Sequence, residues 1–295
     1  MKTKKLKITL LDAVLIPVLA VAGFYIIYRV NAEMNYSWNW SIIPQYLFRF
    51  DPQRDLYAPN VLMQGFLATI RLSFWATLLA LVMGTFFGLF RTAHSLFKRL
   101  TGGFYVGLVR NIPPLVWVFI FYFFISDQLM PLFQLDILAR KQPENFQNII
   151  SLLIAPPERL PSFISAIITL ALYEGAYIAE IVRGGIQSID RGQWEAGASL
   201  GLTRWQQLRK IILPQTFERI LPPLAGQFIS TIKDSAIVSL ISIQELTFQG
   251  MELMAATYRT FEIWITVTAL YFLLTFTCSM AVSWLERYLA QRKIS

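Results

Sequence analysis

Five ionisable side chains lie in or beside long apolar runs of this chain: Arg71, Glu174, Glu180, Lys233 and Asp234. A charge at the centre of a membrane helix costs roughly 2.5–3.5 kcal/mol on insertion scales, so each of these residues demands a partner or a role. Tyr173, Tyr177, Glu180 and Gly184 recur at i, i+4, i+7 and i+11, which puts two hydroxyls, a carboxylate and a glycine on one helical stripe suited to an inward, water-accessible face. Structural pairing competes with that reading. Glu180 and Arg183 stand at i,i+3, within reach of an ion pair, and Lys233 and Asp234 can neutralise neighbouring charges.

Other chemistry is poorly supplied. One histidine, His94, and one cysteine, Cys278, offer neither a metal set nor a Cys/His nucleophile. The apolar segments hold no Ser/His, His/Glu or aspartyl constellation that would suit an intramembrane enzyme. There is no Gly-x-x-x-x-Gly-Lys-Ser/Thr phosphate cradle, so any work drawn from ATP must come from another polypeptide.

The most punctuated polar stretch runs from Asp190 to Pro214. Asp190 with Gln193 has the spacing of a capping box, and Gly201 is a natural left-handed stop. Thr203 with Gln206 repeats the capping signature, and Pro214 helps to close the second helix. Two short helices meeting at a glycine, with small Ala196, Gly197 and Ala198 on the first, predict a narrow knuckle able to enter a partner's groove. Trp194, Leu200, Leu202 and Trp205 are apolar anchors, either for a partner or for packing under the chain's own helices.

These residues are carried by elements that composition requires to be membrane helices. The chain is 55% hydrophobic and 15% aromatic, with mean hydropathy +0.50. Residues 263 to 285 and 72 to 90 are free of charge, each long enough as a helix to cross about 30 Å of hydrocarbon. Further apolar segments near 10–30, 111–126, 160–182 and 222–243 bring the expectation to six spans, helical because an open strand edge has no partner in lipid. Of the 26 basic residues, 17 fall at the two termini and in the 91–110 and 183–219 connections, against six on the other side. Basic connections stay in the cytoplasm, so both termini and the knuckle are expected inside. That topology accounts for the net charge of +8 without any nucleic acid. Lys2, Lys4, Lys5 and Lys7 before an apolar run, then Val30-Asn31-Ala32, also resemble a signal peptide; an uncleaved anchor is the favoured reading, with Asp12 and Arg29 at its edges. Trp38, Trp40 and Tyr46 suit an interfacial segment on the outer surface. Pro113-Pro114 and Pro222-Pro223 are expected to mark helix starts, the 127–160 connection to be a largely irregular external loop, and Glu245 and Glu252 to be solvated acids or contacts for a delivery protein.

Glu195-Ala196-x-x-x-x-Gly201, then Ile211-x-Leu213-Pro214, resembles the cytoplasmic coupling motif of permease subunits of bacterial binding-protein-dependent ABC importers. Gly175 to Glu180, Arg183 to Gln187, Gly192 to Ala196 and Leu213 to Gln215, together with Arg110 to Leu115, Phe228 to Ser235 and Glu245-Leu246, resemble the polar amino-acid branch in that order, over roughly residues 61 to 290. Gly197 stands where the family usually has a second alanine, softening the first helix by about 1 kcal/mol.

The resemblance implies an all-α, polytopic integral membrane protein of the type I importer permease fold, with five core transmembrane helices plus one N-terminal helix. It divides the chain into residues 1–60, an N-terminal transmembrane helix and external segment, and 61–295, the permease core with a coupling loop at 184–221. Glu195, Ala196, Gly197, Gly201, Leu202, Trp205, Leu213 and Pro214 are then expected to couple to an ATPase subunit. Arg71, Glu174, Tyr177, Glu180, Lys233 and Asp234 are candidates for the substrate path, since mixed charges in a partly dry cavity bind an amino acid's ammonium and carboxylate; Glu174 suits a cationic or amide-bearing side chain. The chain would be a non-catalytic subunit in the bacterial inner membrane, binding no cofactor or metal itself. Its implied partners are two ATP-binding subunits carrying ATP and magnesium, an identical or sister permease, a periplasmic or lipid-anchored amino-acid-binding protein and the lipid bilayer. An autonomous channel or ion-coupled carrier is the main alternative, with the intramembrane acids as proton sites.

Overall fold

The computed structural model describes residues 10–33, 36–52 and 55–292. The four amino-terminal lysines lie outside them. Two compact units are present, up to Trp40 and from Ser41 onward. The first contains α1, Leu10–Glu33, whose continuous apolar stretch is Leu11–Tyr25 and which accommodates Pro17.

The second unit is helical apart from one hairpin. A 3-10 turn, Trp40–Ile42, and α2, Ile43–Leu47, lead into antiparallel strands β1, Phe48–Asp51, and β2, Leu56–Pro59. Tyr46 thus lies in a short folded cap, and Ile43 packs with Leu62, Leu246 and Ile263 in one core cluster. Then follow α3, Val61–Thr92; α4, Leu96–Asn111; α5, Pro114–Phe119, continued by a π segment to Ser126; α6, Asp127–Phe133; α7, Leu135–Arg140; α8, Glu144–Leu153; and α9, Leu160–Gln187. After these come α10, Arg191–Ser199; α11, Arg204–Gln207, with a π segment to Ile212; α12, Leu213–Asp234, with a 3-10 segment to Ile241; α13, Leu246–Thr257; and α14, Thr260–Arg292. Among the described residues five helical stretches are long and apolar enough to cross a membrane: Val61–Thr92, Pro114–Arg140, Pro157–Gln187, Arg204–Ile241 and Thr260–Trp284.

α3 and α9 form the central pair. The buried face of α3 carries Ala76, Ala80, Gly84 and Gly88 at four-residue spacing, the small-residue seam that lets two membrane helices approach closely. A Cβ at Gly84 would lie 2.5 Å from Ile178 Cγ2, and one at Gly88 2.7 Å from Val182 Cβ. Gly84→Ala should therefore overpack the seam and cost about 1–3 kcal/mol. Thermal unfolding in detergent measures it, and an unchanged midpoint would show that the seam yields freely.

The second core span, expected near 111–126, begins at Pro114, because Asn111 ends the separate helix α4 and Pro113 starts a new one. Two expectations need correction. The 127–160 connection is mostly helical; Pro143 and Pro156 stand just before helical turns, where a missing amide costs nothing. Pro222 and Pro223 lie inside α12 rather than at its start. They remove amide donors that would meet the carbonyls of Glu218 and Arg219, and both of those residues are exposed, where water can take over.

Candidate functional site

The stretch from 190 to 214 folds as a knuckle whose every bend has a local cause. Asp190 caps α10 by accepting from the Gly192 amide at 2.6 Å; Gln193 supplies no reciprocal side-chain bond, so this is a simple cap and not a box. Gly201 ends the helix at φ +71°, the left-handed region an L side chain resists. The expected box at Thr203 and Gln206 is complete, with the Thr203 amide donating to Gln206 Oε1 at 2.9 Å and the Gln206 amide to Thr203 Oγ1 at 3.4 Å. Pro214 does not close the second helix. It sits in the first turn of α12, directly after a π segment whose wider turn carries the chain onward without its amide.

Gly197 is the one buried residue of α10. A Cβ there would stand 3.0 Å from both Gln207 Cγ and Ile211 Cδ1, so the glycine lets α10 lie against the following helix. Gln207 braces the bend by donating to the Leu202 carbonyl at 2.8 Å. The apolar anchors divide. Trp194 is half-buried under the chain's own helices, with the Arg204 guanidinium 5.0 Å from its ring centroid, whereas Leu200 and Trp205 are 77% and 63% exposed. Glu195 is also exposed, with only an i,i+4 contact to Arg191 at 3.1 Å. Ala196 and Pro214 are exposed too, while Leu202 and Leu213 are half-buried.

Within the membrane region the structure sorts the charged candidates into separate places. Glu174 is fully buried on α9, and its Oε2 accepts from Gln227 of α12 at 2.5 Å. Its other oxygen is buried without a hydrogen-bond partner. Asp234 is close enough to interact with Glu174, and it is exposed, as is Lys233. Gln227, Thr231 and Asp234 recur at i, i+4 and i+7, a polar stripe of α12 laid against the acid of α9. Sequence reasoning missed Gln227 and Thr231, although the same spacing rule would have found them.

Glu180 belongs to a different cluster. Arg91 of α3 and Arg183 bond its two oxygens, and Arg110 of α4 approaches to 3.9 Å while lying 5.2 Å from the Tyr177 ring centroid. The expected Glu180–Arg183 pair is present, enlarged by two arginines that no local pattern foretells. Tyr173 and Tyr177 share a hydroxyl–hydroxyl bond of 3.0 Å. Arg71 is elsewhere again. It donates to the carbonyls of Leu67 at 3.2 Å and Ser151 at 2.6 Å and lines a cavity of about 280 Å³ with Glu158 and Arg159, separate from Glu174.

Glu245 is no solvated loop acid; it is fully buried as the N-cap of α13. Its carboxylate accepts from the amides of Thr247 and Phe248 at 2.9 and 2.8 Å, and from the Tyr271 hydroxyl at 2.7 Å and the Thr69 hydroxyl at 3.3 Å, tying together α3, α13 and α14. Glu245→Ala should lower unfolding stability by roughly 2–4 kcal/mol, since it removes a cap and strands buried donors. Burial outweighs these bonds and pushes the Glu245 carboxyl above its ordinary range. A raised folded pKa means stability that is fully present below the unfolded value and lost as pH rises through the folded one. Relative to Glu245→Gln, the parent chain should therefore lose stability as pH climbs from about 4.3. A parallel pH dependence of the two would oppose this. Glu252 is exposed, and among the described residues no group of three or more His, Cys, Asp or Glu could hold a metal.

Close-packed apolar helices with buried polar groups between them, and a capped knuckle joining two of them, mark a multi-pass membrane permease. The chain belongs to the binding-protein-dependent transport system inner membrane component family, which it matches over residues 76–295. It is 33% identical over 239 residues to the glutamine transport system permease protein GlnP of Escherichia coli K12, covering 81% of this chain and 97% of that one. It is 30% identical over 254 residues to the glutamate/aspartate import permease protein GltJ of the same organism, covering 86% and 96%. The crystal structure of an amino acid ABC transporter with histidines matches at TM-score 0.65 and 30% identity, over 86% of this chain and all of that one. An inward-facing structure of the MetNI methionine ABC transporter matches in fold at TM-score 0.57 and 19% identity, over 78% and 96%.

Proposed function

We propose that this chain is the permease subunit of an ATP-driven importer of polar or charged amino acids. The observation that carries the reading is the knuckle: a glycine-hinged bend, stiffened by caps and by Gly197 packing, that presents Leu200, Trp205 and Glu195 outward beside the start of a spanning helix. Because α11, its π segment and α12 run on without a break, a push on the knuckle is delivered to the helix that carries Gln227, Thr231 and Asp234. Two ATP-binding subunits closing around ATP and magnesium would thereby rock α12 against α9 and alternate the access of the path. Five core spans do not easily enclose a gated path, so a second permease, identical or sister, completes it. A periplasmic or lipid-anchored binding protein delivers the solute. The basic 91–110 and 183–219 connections support a cytoplasmic side for both termini and the knuckle, with α1 as an added span. Relatives named for glutamine and glutamate/aspartate, together with the buried acid Glu174 and its amide partner Gln227, support a polar amino acid as cargo.

Uptake into vesicles tests the reading. Transport should require trapped ATP and the ATP-binding subunit. Uptake driven by an imposed ion gradient without that subunit would instead establish a carrier.

A further inference from the structure

A cavity of about 540 Å³ opens between the end of α3, the start of α4 and the knuckle. Its apolar lining includes Ile186, which is buried, and Phe86 and Trp205, which are exposed, and its polar lining is basic, with Lys98, Arg204 and His94. None of the lining residues is acidic. The rim cations are held against rings: Lys98 Nζ lies 5.8 Å from the Phe90 centroid, and Arg204 stacks on Trp194. The cavity also has an approach. Phe74, Leu78, Val82 and Phe86, spaced four residues apart on α3, are all exposed and form an apolar track that runs along the helix into the cavity.

We infer that this groove binds one anionic phospholipid, with acyl chain on the α3 track and phosphate at Lys98 and Arg204. A free anion has no use for a track of four large apolar side chains, and an uncharged lipid has no use for a carboxylate-free basic rim. Aromatic side chains at such a boundary hold the level where headgroup meets hydrocarbon. Trp194, Arg204 and Trp205 belong to the knuckle, so the bound lipid braces it against α3 and α4. The effect on coupling rests on the proposed function above; the binding does not.

Native mass spectrometry of the full-length permease purified with its ATP-binding subunit tests this, using phosphatidylglycerol and phosphatidylcholine as probes. One phosphatidylglycerol per permease should resist delipidation, preferred over phosphatidylcholine by about fivefold for each cation engaged. Lys98→Glu should abolish that preference. Lys98→Arg should keep it, as should Lys141→Glu, a charge reversal at an exposed position away from the groove. Equal retention of the two lipids, or undiminished phosphatidylglycerol on Lys98→Glu, would overturn the inference. Displacement by inorganic phosphate would reassign the groove to a free anion, and retention by the permease alone but not by the complex would reassign it to the partner subunit. Either result also overturns it. Because the readout is lipid mass and not transport, a failed lipid site leaves the transport reading standing.

Discussion

Replacing Gly201 with glutamate should leave the chain inserted and folded while ATP-driven uptake falls on the order of a hundredfold, with ATP hydrolysis no longer tied to transport. Two effects combine. At φ +71° an L side chain pays about 1–2 kcal/mol, which shifts the bend between α10 and α11. No atom stands within 4 Å of where a Cβ would project, so the new carboxylate does not disturb this chain's packing. It protrudes instead from the tip of the knuckle, where an unmatched charge in a docked interface costs several kcal/mol. Gly201→Asn separates the two effects, since asparagine tolerates the left-handed region and carries no charge. It should retain most uptake. Full uptake by the glutamate variant, measured in vesicles with equal permease content, would remove the docking role from residues 190–214.

Glu174→Gln should change affinity for the transported amino acid by roughly tenfold to a hundredfold, the worth of a charge-assisted hydrogen bond of about 1.5–3 kcal/mol. The basis is geometric. One oxygen of Glu174 is held by Gln227, and the other is buried with no partner, an arrangement that a protein ordinarily avoids unless a ligand completes it. An ammonium or amide donor from the solute would do so. Glutamine keeps the shape and replaces the acid with an amide, so a cationic or amide-bearing solute should lose more than an acidic one. Competition between glutamine, arginine and glutamate for uptake reads this directly, and an unaltered preference series would take Glu174 out of the path. Glu180 makes the opposite case. With Arg91 and Arg183 on its oxygens and Arg110 nearby, its carboxylate is committed to holding α3, α4 and α9 together, and Glu180→Gln should act mainly on stability.

The knuckle shows how far local rules reach. Caps, a left-handed glycine and proline act within four or five residues of themselves, so the Thr203–Gln206 box and the turn at Gly201 could be read directly from their order. Pro214 departs from the local rule because a proline directly after a π segment can continue a helix as well as end one. The 127–160 connection differs from the expected loop for a related reason: Pro143 and Pro156 stand just before helical turns and so open helices.

The sequence by itself determined that this chain is a set of membrane-crossing helices without a phosphate-binding loop of its own, because hydrocarbon thickness sets the length of an apolar run and charge asymmetry sets its expected orientation. It also determined the bend at 190–214. Only the tertiary structure decided which polar groups meet: Glu174 with Gln227 across 53 residues, Glu180 with Arg91 across 89, and Glu245 with Thr69 across 176. The physical reason is that hydrophobic period says which face of a helix turns inward but not which helix it will face. That choice was made by close approach, where Gly84 and Gly88 admit α9 against α3 and so bring Arg91 of α3 to Glu180 of α9.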